Sequence, residues 1–243
     1  MANNLKVKNQ NHKFFKFDHR KISKSFNVAS FSGLNKSLLL KILCSSGGII
    51  DNYFIKKNFP SIFDKEKIFI ITLGKPEFKS SKKIFKLKKF DAISIFSDNI
   101  DYSFKCKKNT QLFIVSSEKF KKRKNKSVYF NFKKNIKAVN IWGGQCISRP
   151  YSGIDLNVVM FDLKPGFKFD DQGHTNEQIT WVISGSIDFY CNQFRQKLTS
   201  QVGVDIGSFN KHGGLSKGAI GFDAFFPKRV EKNYYRKVNT VKF

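Results

Sequence analysis

The sequence predicts an all-β protein built from two jelly rolls in tandem. Short β-branched and aromatic runs recur along the chain, punctuated by Gly, Pro, Asn, Asp and Lys. Strands and turns alternate in this way in sandwiches and jelly rolls. Helical periodicity is weak, with at most a trace near the N-terminus. The chain also superposes on itself when slid by 111 residues without gaps. Glu66 then falls on Glu177, Ile68 on Ile179, Gly74 on Gly185, Phe78 on Phe189, Lys86-Leu87 on Lys197-Leu198, Ile95 on Ile206 and Asn99 on Asn210. One offset held across two strands and their turns marks duplication of a β-domain.

The strands expected in the first half are LLLKILCS (38–45), KIFIITLG (67–74), DAISIFS (91–97) and QLFIVSS (111–117). The second half repeats the rhythm with DLNVVMFDL (155–163), QITWVISG (178–185), SIDFYC (186–191) and AIGFDAFF (219–226). Ile183-Ser184-Gly185-Ser186 reads as a tight hairpin turn between two of these. The expected organisation is a basic N-terminal arm (1–22), a first domain (23–117), a Lys-rich linker (118–136), a second domain (137–236) and a tail (237–243). Residues 1–22 are either an arm or a strand swapped onto a partner.

At 243 residues the chain can bury one large core or two smaller ones. No run approaches the 18 apolar residues of a membrane span, and the N-terminal stretch lacks the apolar region and cleavage site of a secretory signal. Cys44, Cys106, Cys146 and Cys191 lie far apart. They form neither a disulfide framework nor a zinc knuckle, and a reducing cytoplasm with buried thiols is expected. The net charge is +27, yet residues 136–243 hold 14 Lys/Arg against 9 Asp/Glu, so most of the excess lies in the first half. Lys there is mixed with Asn, Ile and Phe, residues of AT-rich codons. The run KFKKRKNK (119–126) reads first as a solvated linker and second as a phosphate-contacting patch. Scarce Arg and alternating Phe argue against nucleic acid as a partner.

Two histidines, 38 residues apart, stand in the second half with amide and carboxylate side chains near the first. The stretch Gln172-Gly173-His174-Thr175-Asn176-Glu177-Gln178 resembles the first motif of the cupin superfamily in its H-x-H-P-N-E-Q form, and His212 in NKHGG resembles the His of the second motif. The tail DAFFPKRVEKNY (223–234) is similar to the D-x-F-x-P-x-R ending of many small cupins. The match covers about residues 140–236 and reaches the first half through the internal repeat alone. It implies His174, His212, Gln178 and Gln172 as ligands of a divalent metal (Zn, Fe, Mn or Ni), with Gln172 where the family has its first His. Such a set is neutral and weaker than three His and a Glu. Glu177 is the expected general base. Asp170 and Asp171 read as turn residues or as a rim, and Arg229 as an anchor for the tail or, second, as a partner for a substrate carboxylate. At the repeat offset, His174 becomes Phe63, Gln172 becomes Ser61, Gln178 becomes Lys67 and His212 becomes Asp101, so no metal site is expected in the first half. The implied function is non-redox proton chemistry on a small polar molecule such as a sugar acid or hydroxy acid. An isomerase, lyase or dioxygenase is allowed by the resemblance, and a homodimer is the expected assembly. The alternatives are a decayed pair of barrels serving as a binding or assembly module, and a basic protein docking on anionic polymers through residues 80–135.

Overall fold

The computed structural model describes residues 12–17, 25–34, 38–80, 83–96, 100–117, 127–229 and 241–242. The first repeat contains β1 (His12–Lys16), β2 (Phe26–Ser32), β3 (Leu38–Ser45), β4 (Gly48–Asp51), α1 (Asn52–Asn58), β5 (Lys67–Leu73), β6 (Glu77–Ser80), β7 (Lys83–Lys86), β8 (Asp91–Ile95), β9 (Tyr102–Cys106) and β10 (Thr110–Ser117). The second contains β11 (Val128–Asn131), β12 (Val139–Ile141), β13 (Cys146–Ser152), β14 (Asn157–Asp171), β15 (Glu177–Cys191), β16 (Phe194–Leu198), β17 (Val202–Ile206) and β18 (His212–Phe226), followed by β19 (Val241–Lys242). All pairings are antiparallel, in three sheets: β1-β17-β15-β18-β14-β13-β12 with β16 beside β15, β19-β11-β8-β5-β10-β3-β2, and β4-β9-β6-β7.

The predicted duplication is visible strand by strand. In the second repeat β15 pairs with β16, β17 and β18. In the first, β5 pairs with β8 and β10 while β6 pairs with β7 and β9. The expected hairpin at Ser184–Ser186 is not a reversal. β15 runs straight through it as one strand, and its register with β18 shifts on either side of Gly185. Gly185 has φ +77°, and a Cβ there would strike the Gly218 carbonyl, so the residue forms a bulge that bends a strand rather than ending it. At the equivalent Gly74, φ +85°, the bend is complete and β5 and β6 join different sheets.

The expected linker and arm are also revised. Residues 118–126 lie outside the described residues, but Val128–Asn131 is a strand paired with β8 of the first half. Reciprocally, β1 of the first half pairs with β17 of the second. Each repeat therefore lends its leading strand to the other's sheet, and β19 adds a strand beside β11. The tail's Val241–Lys242 is likewise tied into the first half.

Between the two sheets lies a shared apolar core. Leu40, Ile42, Ile68 and Phe113 of the first half meet Trp181, Phe222 and Ala224 of the second, with Phe15 and Phe130 arriving on the exchanged strands and Phe132 just after the second of them. Phe113 packs 5.8 Å from Trp181 and 5.2 Å from Phe222 between ring centroids, and Phe130 stacks on Tyr151 at 4.1 Å. The first barrel's own interior is filled by Phe69, Phe78 and Phe104 together with Ile55 of α1 and Phe59. The second barrel is less filled and keeps a cavity.

Two polar contacts hold the halves in register, and they are related by the repeat. Glu66 and Glu177, matched in the sequence, are both fully buried. Glu66 accepts hydrogen bonds from the backbone N–H groups of Ile154 (2.9 and 3.0 Å) and Asp155 (3.0 Å), in the turn between β13 and β14. Glu177 Oε2 accepts from Leu38 N (3.1 Å), beyond the turn between β2 and β3, and Asp205 Oδ2 accepts from Leu34 N (2.6 Å) in that turn. The turns share a pattern of aromatic, Ser, Gly and aliphatic residue, FSGL (31–34) and YSGI (151–154), at an offset of 120 rather than 111, which a comparison without gaps misses. A side chain at Gly33 would collide with the Glu177 carboxylate, and one at Gly153 with that of Glu66. Both glycines are there for space.

Burial pushes the Glu66 carboxyl up to about 7. Burial, reinforced by the neighbouring Glu177, pushes Asp205 up to about 8. A carboxyl raised in the folded state stabilises the fold below its unfolded pKa, and that contribution is lost as pH rises through the folded value. The melting temperature, followed by circular dichroism, should fall between pH 5 and pH 8.5, and Asp205→Asn should flatten that fall and raise the melting temperature at pH 8. Glu66→Ala, which leaves the Ile154 and Asp155 N–H groups without their acceptor, should cost about 2–3 kcal/mol by urea unfolding. Gly153→Ala should be destabilising in the parent chain and cost at least about 1 kcal/mol less in the Glu66→Ala background.

Candidate metal centre

Strand alternation sends Phe167, Phe169 and Asp171 of β14 into the second barrel, while Lys168 and Asp170 face outward. The strand stops at Asp171, and Gly173, at φ +103° and pressed against the Phe209 backbone, turns the chain so that His174 comes back inward. β15 then starts with the opposite sorting. Gln178 and Thr180 line the cavity, whereas Ile179 and Trp181 enter the core between the halves. The first residue of β18, His212, pairs directly with Asp171 across the ladder, and the far end of the same strand supplies Asp223 and Phe225.

These elements bring together Asp171, His174 and His212, with one potential ligand atom from each within 4.8 Å of the others. The two imidazole rings stand 5.4 Å apart, nearly perpendicular. His212 Nδ1 lies 2.9 Å from the Asn210 carbonyl, so Nδ1 carries the proton and Nε2 keeps its lone pair. His174 Nε2 lies 2.9 Å from Gln178 Oε1. The Gln178 amide nitrogen is committed to Thr180 Oγ1 (2.8 Å) and Asp223 Oδ1 (3.1 Å), which leaves its oxygen to accept from His174. His174 Nδ1 is then deprotonated, buried and without a hydrogen-bond partner. Desolvation lowers the pKa of both histidines, which keeps them in the neutral form a metal requires.

The residues present fit a divalent cation. Two neutral imidazoles, one of them with its nitrogen lone pair orphaned, and a carboxylate form a three-donor set suited to Fe, Mn, Ni or Zn. Asp171 is oriented by Gly173 N (2.9 Å to Oδ1) and by Arg229, whose guanidinium lies 3.6 Å from Oδ2. A set that includes a carboxylate would hold a divalent cation more strongly than the two-His, two-Gln set expected from the sequence.

The expected site residues divide accordingly. His174 and His212 lie together, and Gln178 stands beside them with its oxygen on the His174 ring. Gln172 does not join them: it is exposed and donates to Asp170 Oδ2 at 3.1 Å, because strand parity gives the inward position to Asp171. Glu177 does not reach the cavity either. It shares the inter-half face with Ile179 and Trp181, and its carboxylate is engaged by Leu38 N. Alternation alone, which placed Trp181 in the core, would have placed Glu177 beside it. Asp223 was legible only as part of the D-x-F-x-P-x-R tail. Its carboxylate accepts from Thr180 (2.6 Å) and Gln178, and burial pushes it up to about 6 against those hydrogen bonds.

In the first half, Lys67 occupies the place of Gln178. It is fully buried, its ammonium donating to the carbonyls of Ile62, Phe63 and Lys65 at 3.0, 2.6 and 2.8 Å. No second cluster of three metal-binding side chains occurs among the described residues. No helix among them is long and apolar enough to cross a membrane.

Solved structures share this architecture. YlbA from E. coli superposes with a TM-score of 0.68 at 14% identity, covering 95% of this chain and 97% of that one. A cupin 2 conserved barrel domain protein from Leptotrichia buccalis gives 0.62 at 12% identity over 88% of this chain and 96% of that one. An oxalate decarboxylase from Bacillus subtilis gives 0.62 at 8% identity over 89% and 78%. No family model and no curated protein matches the sequence. At such identities the likeness shows the fold, and the fold is that of the cupin barrels.

Metal analysis by plasma mass spectrometry of protein purified without chelator should find close to one equivalent of a transition metal. His174→Ala, His212→Ala and Asp171→Asn should each lose it, while Gln172→Ala should retain it. Loss on changing Gln172 with retention on changing Asp171 would restore the ligand set read from the sequence.

Proposed function

We propose that the chain is a metal-dependent enzyme of cupin type that moves a proton on a small carboxylate in its second barrel. The observation that carries this reading is the convergence of the Asp171, His174 and His212 ligand atoms, with Asp171 and His212 lining a cavity that also holds Asp223 and Arg229. A divalent ion held by those three residues would polarise a carbonyl or carboxylate oxygen.

The chain's own groups supply the rest. Asp223, with its pKa raised to about 6, is mostly ionised at neutral pH yet basic enough to take a proton, the condition for general base work. Thr180 and Gln178 hold its Oδ1, and Gln178 ties that carboxylate to the His174 ring. Arg229 stands at the same cavity, its guanidinium 5.5 Å above the Phe225 ring and paired with Asp171, a position from which it can receive an anionic group.

Solvent deuterium exchange into the carbon beside the carbonyl of 2-oxo acids, followed by NMR, tests this. The parent protein should exchange, with a rate that falls as pH drops below about 6, where Asp223 takes up its proton. Asp223→Asn should lower the rate about 10²–10⁴-fold with unchanged metal content. Metal-loaded protein that exchanges none of these acids would leave the barrel as a binding module.

A further inference from the structure

The cavity is sharply divided by chemistry. Most of its polar side chains, Asp171, His212, Asp223 and Arg229 among them, belong to the strand ends just described, and Ser148 of β13 stands apart from them, in register with Phe161. The remaining wall is apolar and largely aromatic, with Phe161, Leu163, Phe169, Ile187 and Phe189. The space is open to solvent, so a ligand held at the strand ends can extend outward along this wall. A ligand rich in hydroxyls would leave most of them facing this wall without partners, at the desolvation cost of each unpaired polar group.

Trp142 lies on that side. It is 53% exposed, although it is one of only two tryptophans in the chain. Its ring sits 5.3 Å from Phe167 and 6.4 Å from Phe169, tilted on one and stacked on the other. The backbone that holds it is unusual. Trp142, Gly143 and Gly144 have φ of 50°, 65° and 81°, three consecutive left-handed residues in the turn between β12 and β13. For a bulky side chain that conformation is disfavoured, and here it presents a large apolar face to solvent at the cavity instead of burying it.

We propose that the second barrel takes a monocarboxylate with a flat, apolar body, and that Trp142 is the specificity residue against which this body lies. The assignment rests on the metal-and-carboxylate reading of the same cavity. The acid group lies at the Arg229 end, and the body extends along Phe169 and Phe189 under the indole. A sugar acid, carrying hydroxyls along its length, is excluded by the same wall.

Tryptophan fluorescence and calorimetry with metal-loaded protein distinguish the outcomes. The probes are 3-phenylpropionate, galacturonate and the neutral 3-phenylpropanamide. 3-Phenylpropionate should bind and shift the emission of Trp142, with Trp181 buried in the core between the halves and unaffected. Galacturonate and the amide should each bind at least about tenfold more weakly. Trp142→Ala should weaken 3-phenylpropionate about tenfold with metal content unchanged, and Trp142→Phe, which keeps a flat face, should stay within about threefold of the parent. Equal affinity for galacturonate, or no effect of Trp142→Ala, would overturn the assignment while leaving the metal site intact. Absence of metal in the same samples would instead fell the reading beneath it.

Discussion

The structure depends on each repeat burying a carboxylate under a turn of the other. Glu66 receives the N–H groups of Ile154 and Asp155, and Glu177 with Asp205 receives those of Leu38 and Leu34. A buried carboxylate without such donors would be severely destabilising, so neither half can satisfy its own glutamate alone. The exchange of β1 and β11 adds a second tie of the same symmetry, and the apolar core around Phe113, Trp181 and Phe222 fills the space between. The two barrels thus share strands and a core even though each repeat carries a barrel's worth of strands.

Duplication of a fold left room for division of labour. In the first barrel, phenylalanines close the interior, and Lys67 spends its charge on three nearby carbonyls rather than on any outside ligand. The second barrel keeps its cavity because the positions at its mouth are polar and mutually engaged. The chain of contacts from His174 through Gln178 to Asp223 and Thr180 lets these groups sit partly desolvated without loss of their hydrogen bonds. It also sets the proton on His174, which matters for any cation held there.

Much of the architecture was legible in the residues. Alternating β-branched and aromatic runs announced an all-β chain, and the constant offset of 111 announced the duplication. The spacing of His174 and His212 placed the site in the second half, because strand periodicity and motif spacing are local properties. The departures have one common origin, which is that sequence distance does not report where a strand is interrupted. The alternation of β14 gives the inward position to Asp171 rather than Gln172, Gly173 then turns the chain so that His174 joins it, and Gly185 bends β15 where a hairpin was expected.

Partnership between distant segments was decided by the tertiary structure alone. That Val128–Asn131 leaves the expected linker to join β8, that His12–Lys16 crosses to β17, and that Glu177 serves the junction rather than the cavity all follow from packing two faces together. The pattern of the chain marked the apolar runs that became β3, β5, β8, β10, β14, β15 and β18. Which buried group meets which donor depends on the three-dimensional closure of the two barrels, since a carboxylate finds its N–H partners across more than 80 residues of sequence.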